Sequence, residues 1–313
     1  MTLAAYLRKR LLLTIPIAVG VTLVTFLLIH LIPGDPAVTM LGIRASPTLV
    51  ARLHAEWGLD KPLYLQYWVF LLRILRGDFG ESLFYQSSAT GVILSASVVT
   101  LWLIAYAAAL SVVIAVPLAL VAATHKGGVA DQIVRAIPLV GMGMPSPWVG
   151  IMLILLLGLT IRAFPVGGYG TGLAGHLYAM FLPSLTLALG IAPILIRSLR
   201  AGLIESLDSD YVTTARSKGI PERRVLVRHA VRNAVISSVT ILGLEIAWLI
   251  SGTIVVEKVF ALPGMGALMV DSIYRRDFPV VQGITFVVAV MVIVTNLATD
   301  VVHSALDPRV RLE

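Results

Sequence analysis

Few residues in this 313-residue chain have the type and spacing to do chemistry. No G-x-x-x-x-G-K-[ST] loop exists to hydrolyse ATP or GTP, and neither H-E-x-x-H nor G-x-S-x-G is present. The six histidines are scattered, and the absence of cysteine removes disulfides, thiolate metal sites and a cysteine nucleophile. An intramembrane hydrolase therefore lacks a plausible nucleophile and base pair. The glycine-rich Gly167-Gly-Tyr-Gly-Thr-Gly172 follows an apolar run instead of a strand, so it reads as a plain turn and not as a phosphate cradle. Two features remain: Glu245, the only carboxylate deep in an apolar run, and a strongly basic loop from Arg197 to Arg232.

The elements that must position these residues follow from composition. The chain is 58% hydrophobic and 13% charged, with a mean hydropathy of +0.93. A soluble domain of this size carries about a quarter of charged residues to clothe its surface, so most of this surface must face lipid. The net charge of +7 sits in short clusters beside apolar runs, with no basic stripe interleaved with aromatics. That placement fits the positive-inside rule and excludes a nucleic-acid partner.

A 19-residue window predicts about six spans: Leu11 to Ile32, Val98 to Ala123, Ile133 to Ile161, Ala179 to Ile196, Ala234 to Val256 and Val280 to Val302. The first follows Arg8, Lys9 and Arg10, runs for about 22 residues or roughly 33 Å, and closes on no A-x-A site, so it is expected to be retained and not cleaved. An even number of crossings puts both termini on one side. With the termini cytoplasmic, the inner segments hold Arg8, Lys9, Arg10, Lys126, Arg135, Arg197, Arg200, Arg216, Lys218, Arg223, Arg224, Arg228, Arg232, Arg309 and Arg311, the larger share of the 24 basic residues.

Prolines recur within the spans, most densely in Gly141-Met-Gly-Met-Pro-Ser-Pro147, either as packing kinks or as part of a moving element or cavity wall. Between the first two spans, residues 33–97 form an extracytoplasmic insertion long enough to need its own structure. Leu49, Leu53 and Trp57 at i, i+4 and i+8, stopped by Gly58, predict one short amphipathic helix there. A second, from Leu63 past Tyr64, Tyr67 and Trp68 to Arg73 and Arg76, is too short to span and suits an interfacial position on the outer leaflet.

In the 197–232 loop, Asp210 is a candidate N-cap for a helix Tyr211 to Lys218, with Gly219 at the left-handed C′ position. Pro221 at N1 and Glu222 in the first turn start a second helix leading to the fifth span. A helix of about eight residues is unstable alone in water and must be held by packing. Its mixed surface of Tyr211, Thr213, Thr214, Ala215 and Arg216 suits a groove on a soluble partner, or else the loop is a solvated basic segment that only fixes topology.

Tyr211-Val-Thr-Thr-Ala-Arg-Ser-Lys-Gly219, with Glu222-Arg-Arg and Arg228-His-Ala-Val-Arg-Asn-Ala234, resembles the coupling loop of permease subunits in bacterial ABC importers for dipeptides, oligopeptides and nickel. Further motifs in the right order resemble the first of the two permeases in such systems: Leu31-Ile-Pro-Gly-Asp-Pro36, Trp57-Gly-Leu-Asp-Lys-Pro-Leu63, Arg76-Gly-Asp-Phe-Gly-Glu-Ser82, Val259-Phe-Ala-Leu-Pro-Gly-Met-Gly266, Arg275-Arg-Asp-Phe-Pro-Val-Val-Gln-Gly283 and Leu306-Asp-Pro-Arg309. Of the wider importer loop pattern only Ala215 and Gly219 match, with Thr213 and Thr214 at other positions, and Leu244-Glu245 stands where the peptide branch has leucine-glutamine.

The resemblance implies an all-α integral membrane protein, a single transmembrane domain over 1–313 in the bacterial inner membrane, with the insertion after the first helix and a cytoplasmic coupling helix between the fourth and fifth. It implies a heteromer with a second permease subunit, two cytoplasmic ATPase subunits that bind ATP and Mg, and an extracytoplasmic substrate-binding protein. This chain would form half of a pathway for di- or oligopeptides, with a nickel or glutathione importer of the same branch as the alternative, perform no catalysis and hold no cofactor. ATPase coupling would fall to Asp210, Tyr211, Thr213, Thr214, Ala215, Arg216, Lys218, Gly219 and Glu222. Glu245 and Asn296 are candidate pathway residues. Each has a packing alternative: a carboxyl at a helix contact for Glu245, interhelical hydrogen bonding for Asn296 and the nearby Asp300.

A stand-alone secondary transporter or channel is the rival reading, but no internal repeat is evident and Glu245 alone is a weak ion-coupling set. The topology is directly testable. Cysteines introduced singly at Ser46 and Ser87 are expected to react from outside intact cells with an impermeant thiol reagent, and one at Ser217 to stay unlabelled. Labelling at Ser217 alone would reverse the orientation.

Overall fold

The computed structural model of the protein describes residues 3–31, 34–42 and 45–306. Ile32 and Pro33 of the first motif, and Asp307, Pro308, Arg309 and Arg311 at the end of the chain, lie outside the described residues.

Lipid offers the backbone no hydrogen-bond partners, so the long apolar runs close their own bonds as helices. Among the described residues, five helices are long and apolar enough to cross a bilayer: α1 (Leu3–His30), α5 (Ala89–Thr124), α9 (Phe181–Leu207), α12 (Arg232–Val259) and α14 (Phe278–Leu306), with apolar stretches Leu12–His30, Ser238–Val259 and Phe278–His303 inside the first, fourth and fifth. The remaining elements between them are α2 (Pro36–Leu41), α3 (Pro47–Trp57), α4 (Leu63–Leu75), a two-residue hairpin β1 (Glu81–Ser82) with β2 (Ser87–Ser88), α6 (Val129–Met142), α7 (Ser146–Leu153), α8 (Gly172–Ala179), α10 (Asp210–Ser217), α11 (Glu222–Arg224) and α13 (Met265–Arg275).

The third predicted span is not one helix. It divides into α6 and α7, and α7 continues as a widened π-helical stretch Ile154–Thr160. The cause is local chemistry: Pro145 is the extended N-cap of α7 (φ −61°, ψ 134°), and Pro147 falls in the first turn, where a missing N–H removes no helical bond. The apolar Ser146–Thr160 segment is shorter than the five long helices and is the remaining candidate for a sixth crossing. The helix of the second span starts at Ala89, nine residues before Val98, and at 36 residues is about 54 Å long, well beyond the ~30 Å hydrocarbon core.

The chain forms two compact units. One comprises the described residues of 3–100 together with 263–293. Its apolar core joins Ile93 and Ala96 of α5 to Met265 and Leu268 of α13 and to Val280 and Ile284 of α14. This is why the start of α5 is helical without looking like a span: its apolar face packs on protein. Thr100 Oγ1 accepts the N–H of Met265 at 2.8 Å, and Gln282 donates to the Thr25 carbonyl at 3.0 Å. The predicted insertion helices are present as α3, closed by Gly58 at φ 65°, and α4. Helix α4 crosses α1 through Phe26–Tyr67 and Phe26–Phe70 ring contacts and a 2.9 Å His30–Gln66 hydrogen bond. Its Tyr64, Trp68 and Leu75 are exposed, a stripe suited to a membrane interface.

The other unit comprises residues 101–262 with 294–313, described to 306. Helix α9 is its centre. Half of its apolar window is buried within the chain, against 22–33% for the other long helices, which leave faces for lipid or partners. Small residues let α12 approach it closely: a Cβ on Gly202 would lie 3.2 Å from the Ala234 Cα, and Ser198 and Ser238 hydroxyls meet at 3.4 Å. The predicted glycine-rich turn is an irregular loop with Gly168, Gly170 and Gly172 all at positive φ. Gly167 cannot carry a side chain there, because its Cβ would lie 2.5 Å from the Phe260 carbonyl oxygen.

Candidate functional site

The loop singled out by its charge and spacing connects α9 to α12, the most closely packed helix pair in its unit. After Leu207 the chain turns at Asp208, and α10 starts with Ser209 in an extended N-cap conformation (φ −80°, ψ 153°). The cap is thus one residue earlier than predicted: Asp210 is the first helical residue, where its charge still favours the positive end of the helix. The helix ends with Lys218 as C-cap and Gly219 at φ +73°. The Ile220 N–H bonds the Ala215 carbonyl at 3.3 Å, and Ile220 packs beside Ala215. Together they form the closure that a left-handed C′ residue allows. Pro221 is the N-cap of α11 and not its first residue, and α11 runs through a π-helical stretch Val225–Val231 into α12.

An eight-residue helix needs an anchor, and Val212 and Ala215 provide it. Both are buried, against Val225 and Ile220. Ala215 therefore belongs to the inward face, a correction to its predicted place on the partner-facing surface. Burying a valine contributes about 1.5 kcal/mol, which offsets the marginal stability of so short a helix. The opposite face is open: Thr213, Thr214, Arg216, Ser217, Lys218 and Gly219 are all exposed.

Polar contacts fix the ends. Arg216 grips Glu222 through Nη2–Oε1 at 2.6 Å and Nε–Oε2 at 3.1 Å, bridging the Gly219 turn. The guanidinium holds the Glu222 carboxyl below its usual range. Both groups are well exposed, so the pair sets geometry and contributes only on the order of 0.5 kcal/mol. Asn233, at the start of α12, donates to the Tyr211 hydroxyl at 2.7 Å. Lys126 reaches Asp208 at 2.8 Å, tying the α5–α6 turn to the residue where α9 ends.

Below this loop lies a pair that sequence reading missed. Arg200 of α9 donates from Nε and Nη2 to the two carboxylate oxygens of Asp131 at 2.5 and 2.7 Å, and the Gly127 N–H donates to Asp131 at 3.0 Å. Asp131 is 1% exposed, and Arg200 with Gly127 holds its carboxyl down at about 2. The two residues are 69 apart in sequence, and no local spacing rule joins them.

The candidate pathway residues are not brought together with this loop. Glu245 is half-buried midway along α12, next to the exposed stripe of Leu244, Trp248 and Val255. Asn296 on α14 is exposed and has no hydrogen-bond partner among the described residues, so interhelical bonding within this chain does not account for it. Buried Glu257, at the far end of α12, also escaped sequence reading.

A helical protein with several bilayer-length apolar helices and a short docked helix on the connection between two of them is a multi-pass membrane protein. The chain belongs to the family of binding-protein-dependent transport system inner membrane components: residues 115–312 match that family, and residues 3–87 match its N-terminal component. It is 34% identical to the oligopeptide transport system permease protein AppB of Bacillus subtilis (98% of this chain, 99% of that protein). It is 37% identical to the glutathione transport system permease protein GsiC of Pectobacterium atrosepticum (98% of each). A putative peptide transport system permease protein of Brucella abortus is also 37% identical (99% of this chain, 100% of that protein).

The Asp131–Arg200 clamp has a pH signature. A carboxyl whose pKa falls on folding stabilises the fold above its unfolded value and loses that contribution as pH drops through the folded one. Asp131→Asn is therefore expected to melt at a lower temperature than wild type in detergent at neutral pH. The gap should close as pH falls from about 4 to about 2. A gap that stays constant across that range would mean Asp131 contributes by shape and not by charge.

Proposed function

We propose that this chain is the permease subunit of an ATP-driven importer for di- or oligopeptides, and that α10 is its coupling helix. The observation that carries the proposal is the two-sidedness of α10: Val212 and Ala215 lock it to the chain, while Thr213, Thr214, Arg216 and Lys218 are exposed on the opposite face. A helix held this rigidly at the junction of α9 and α12 transmits a push to both. The outward face docks into one of two cytoplasmic ATPase subunits, which bind ATP and Mg, and a second permease completes the pathway. The loop and both termini are cytoplasmic, as the basic-residue bias favours. An extracytoplasmic binding protein delivers ligand to the outer segments. The names of full-length relatives support peptides as cargo; the glutathione permease among them makes that tripeptide a second reading.

Asp210, Tyr211 and Glu222 act as positioning residues: Asp210 at the helix start, Tyr211 through Asn233, Glu222 through Arg216. Gly219 sets the exit turn. A Cβ there meets nothing within 4 Å, so Gly219→Val acts through backbone conformation alone, at about 1–2 kcal/mol. Transport and ligand-stimulated ATP hydrolysis are expected to collapse together while the permease still reaches the membrane. Undiminished transport would refute the coupling role.

Glu245 and Asn296 line the pathway, Glu245 as an anion attracting a cationic group such as a peptide amino terminus. Glu245→Gln keeps shape and removes charge, so uptake of cationic ligands is expected to fall at constant complex abundance with neutral ligands less affected. Equal uptake of both classes would leave Glu245 a packing residue.

A further inference from the structure

The cavity between α6 and α9 beside their arginines has a chemistry that the coupling function does not use. Its volume is about 250 Å³, and Arg135, Arg197 and Arg200 line it together with Pro138, Pro193 and Ile194. A water's share of liquid is ~30 Å³, so the space admits a group much larger than one solvent molecule.

The charge balance is lopsided. Arg200 is neutralised by Asp131, whose oxygens are already committed to its guanidinium and to the Gly127 N–H. Arg135 and Arg197 are exposed and have no ion-pair or hydrogen-bond partner among the described residues, and no carboxylate lines the cavity. Arg135 lies near enough to Asp131 to help hold its carboxyl down, but that carboxylate's oxygens are taken by Arg200 and the Gly127 N–H, so neither Arg135 nor Arg197 has an anion in contact among the described residues, and the planar fork of each suits phosphate oxygens.

Position and lining decide which anion. Arg197 directly follows the most apolar part of α9, and Arg135 lies on α6 ahead of the apolar Ser146–Thr160 segment, an arrangement that suits the border of the hydrocarbon core. Pro138, Pro193 and Ile194 wall the cavity with apolar surface. A free phosphate has no use for an apolar wall, whereas a phospholipid places its headgroup on the arginines and its glycerol and first acyl carbons along the prolines. Basic pockets between transmembrane helices at the cytoplasmic side are suited to such headgroups.

We infer that the α6–α9 cavity is a binding site for an anionic phospholipid, its phosphate held by Arg135 and Arg197 and its rear wall formed by the Asp131-braced Arg200. Assignment to the inner leaflet rests on the orientation proposed above. The two claims fail separately: outside labelling of Ser217→Cys would move the site to the other leaflet and leave its lipid preference untouched.

The test is native mass spectrometry of the full chain, purified in detergent with whatever subunits accompany it and titrated with phosphatidylglycerol or phosphatidylcholine. Wild type is expected to retain phosphatidylglycerol preferentially. Arg135→Gln with Arg197→Gln should erase that preference, by about fivefold per arginine. Both side chains are exposed, so the fold tolerates the change. Arg223→Gln with Arg224→Gln removes the same charge from the loop and should leave the preference intact. An unchanged preference in the first double variant, or an equal loss in the second, overturns the site. Displacement of bound phosphatidylglycerol by millimolar inorganic phosphate would also contradict the lipid assignment, since it would mean that phosphate alone is read.

Discussion

Val212 and Ala215 packed on Val225 and Ile220 are the contact on which the rest of the arrangement depends. In water, eight residues do not repay the cost of nucleating a helix, so without this apolar seam α10 would be an unstructured loop carrying a topological charge. With it, the polar face is presented in one orientation. The Gly219 turn and the Arg216–Glu222 bridge then return the chain into α12 within a few residues. A rigid insert of this kind cannot shift without moving the helices at its two ends.

What it moves is set by the packing above it. Helices α9 and α12 touch through Gly202 and Ala234 and through paired serines, contacts too close to slide far without a clash. Helix α6 is tied to α9 by the Asp131–Arg200 clamp, and Lys126 adds a second link to the start of the loop. Beyond the clamp, the chain breaks between α6 and α7, where Gly143, Met144 and Pro145 interrupt the helical ladder. A rigid base and a broken mid-section are the two parts needed for a helix bundle with two packings.

The sequence made local features legible and long-range ones invisible. Helix α3 follows from Leu49, Leu53 and Trp57 with Gly58 behind them, and the Gly219 exit follows from a glycine just past a basic last turn. Each is a rule acting over a few residues. The break within the third predicted span is invisible to a hydropathy window, which averages over the very residues, Pro145 and Pro147, that begin the second helix. The inward turn of Ala215 depends on Val225, ten residues away across a turn, and the Asp131–Arg200 clamp on residues 69 apart. The N-cap falls on Ser209 because the neighbouring Asp210 is already helical, a choice between two good capping residues that composition does not decide. The early start of α5 is hidden because its first turns interleave polar Thr90, Ser95 and Ser97 with the apolar residues that pack on α13 and α14, which dilutes a hydropathy window there.

The central claim is that the exposed face of α10 is a docking surface for a nucleotide-hydrolysing subunit, and proximity measures it most directly. Single cysteines at Thr213 and Thr214, fitted with a short photoreactive crosslinker in the assembled complex, are predicted to capture an ATPase subunit, whereas one at Val227, which is 59% exposed in the π-helical stretch that follows α11, is not. A complex that transports ligand yet yields no ATPase crosslink from either threonine position would contradict the account.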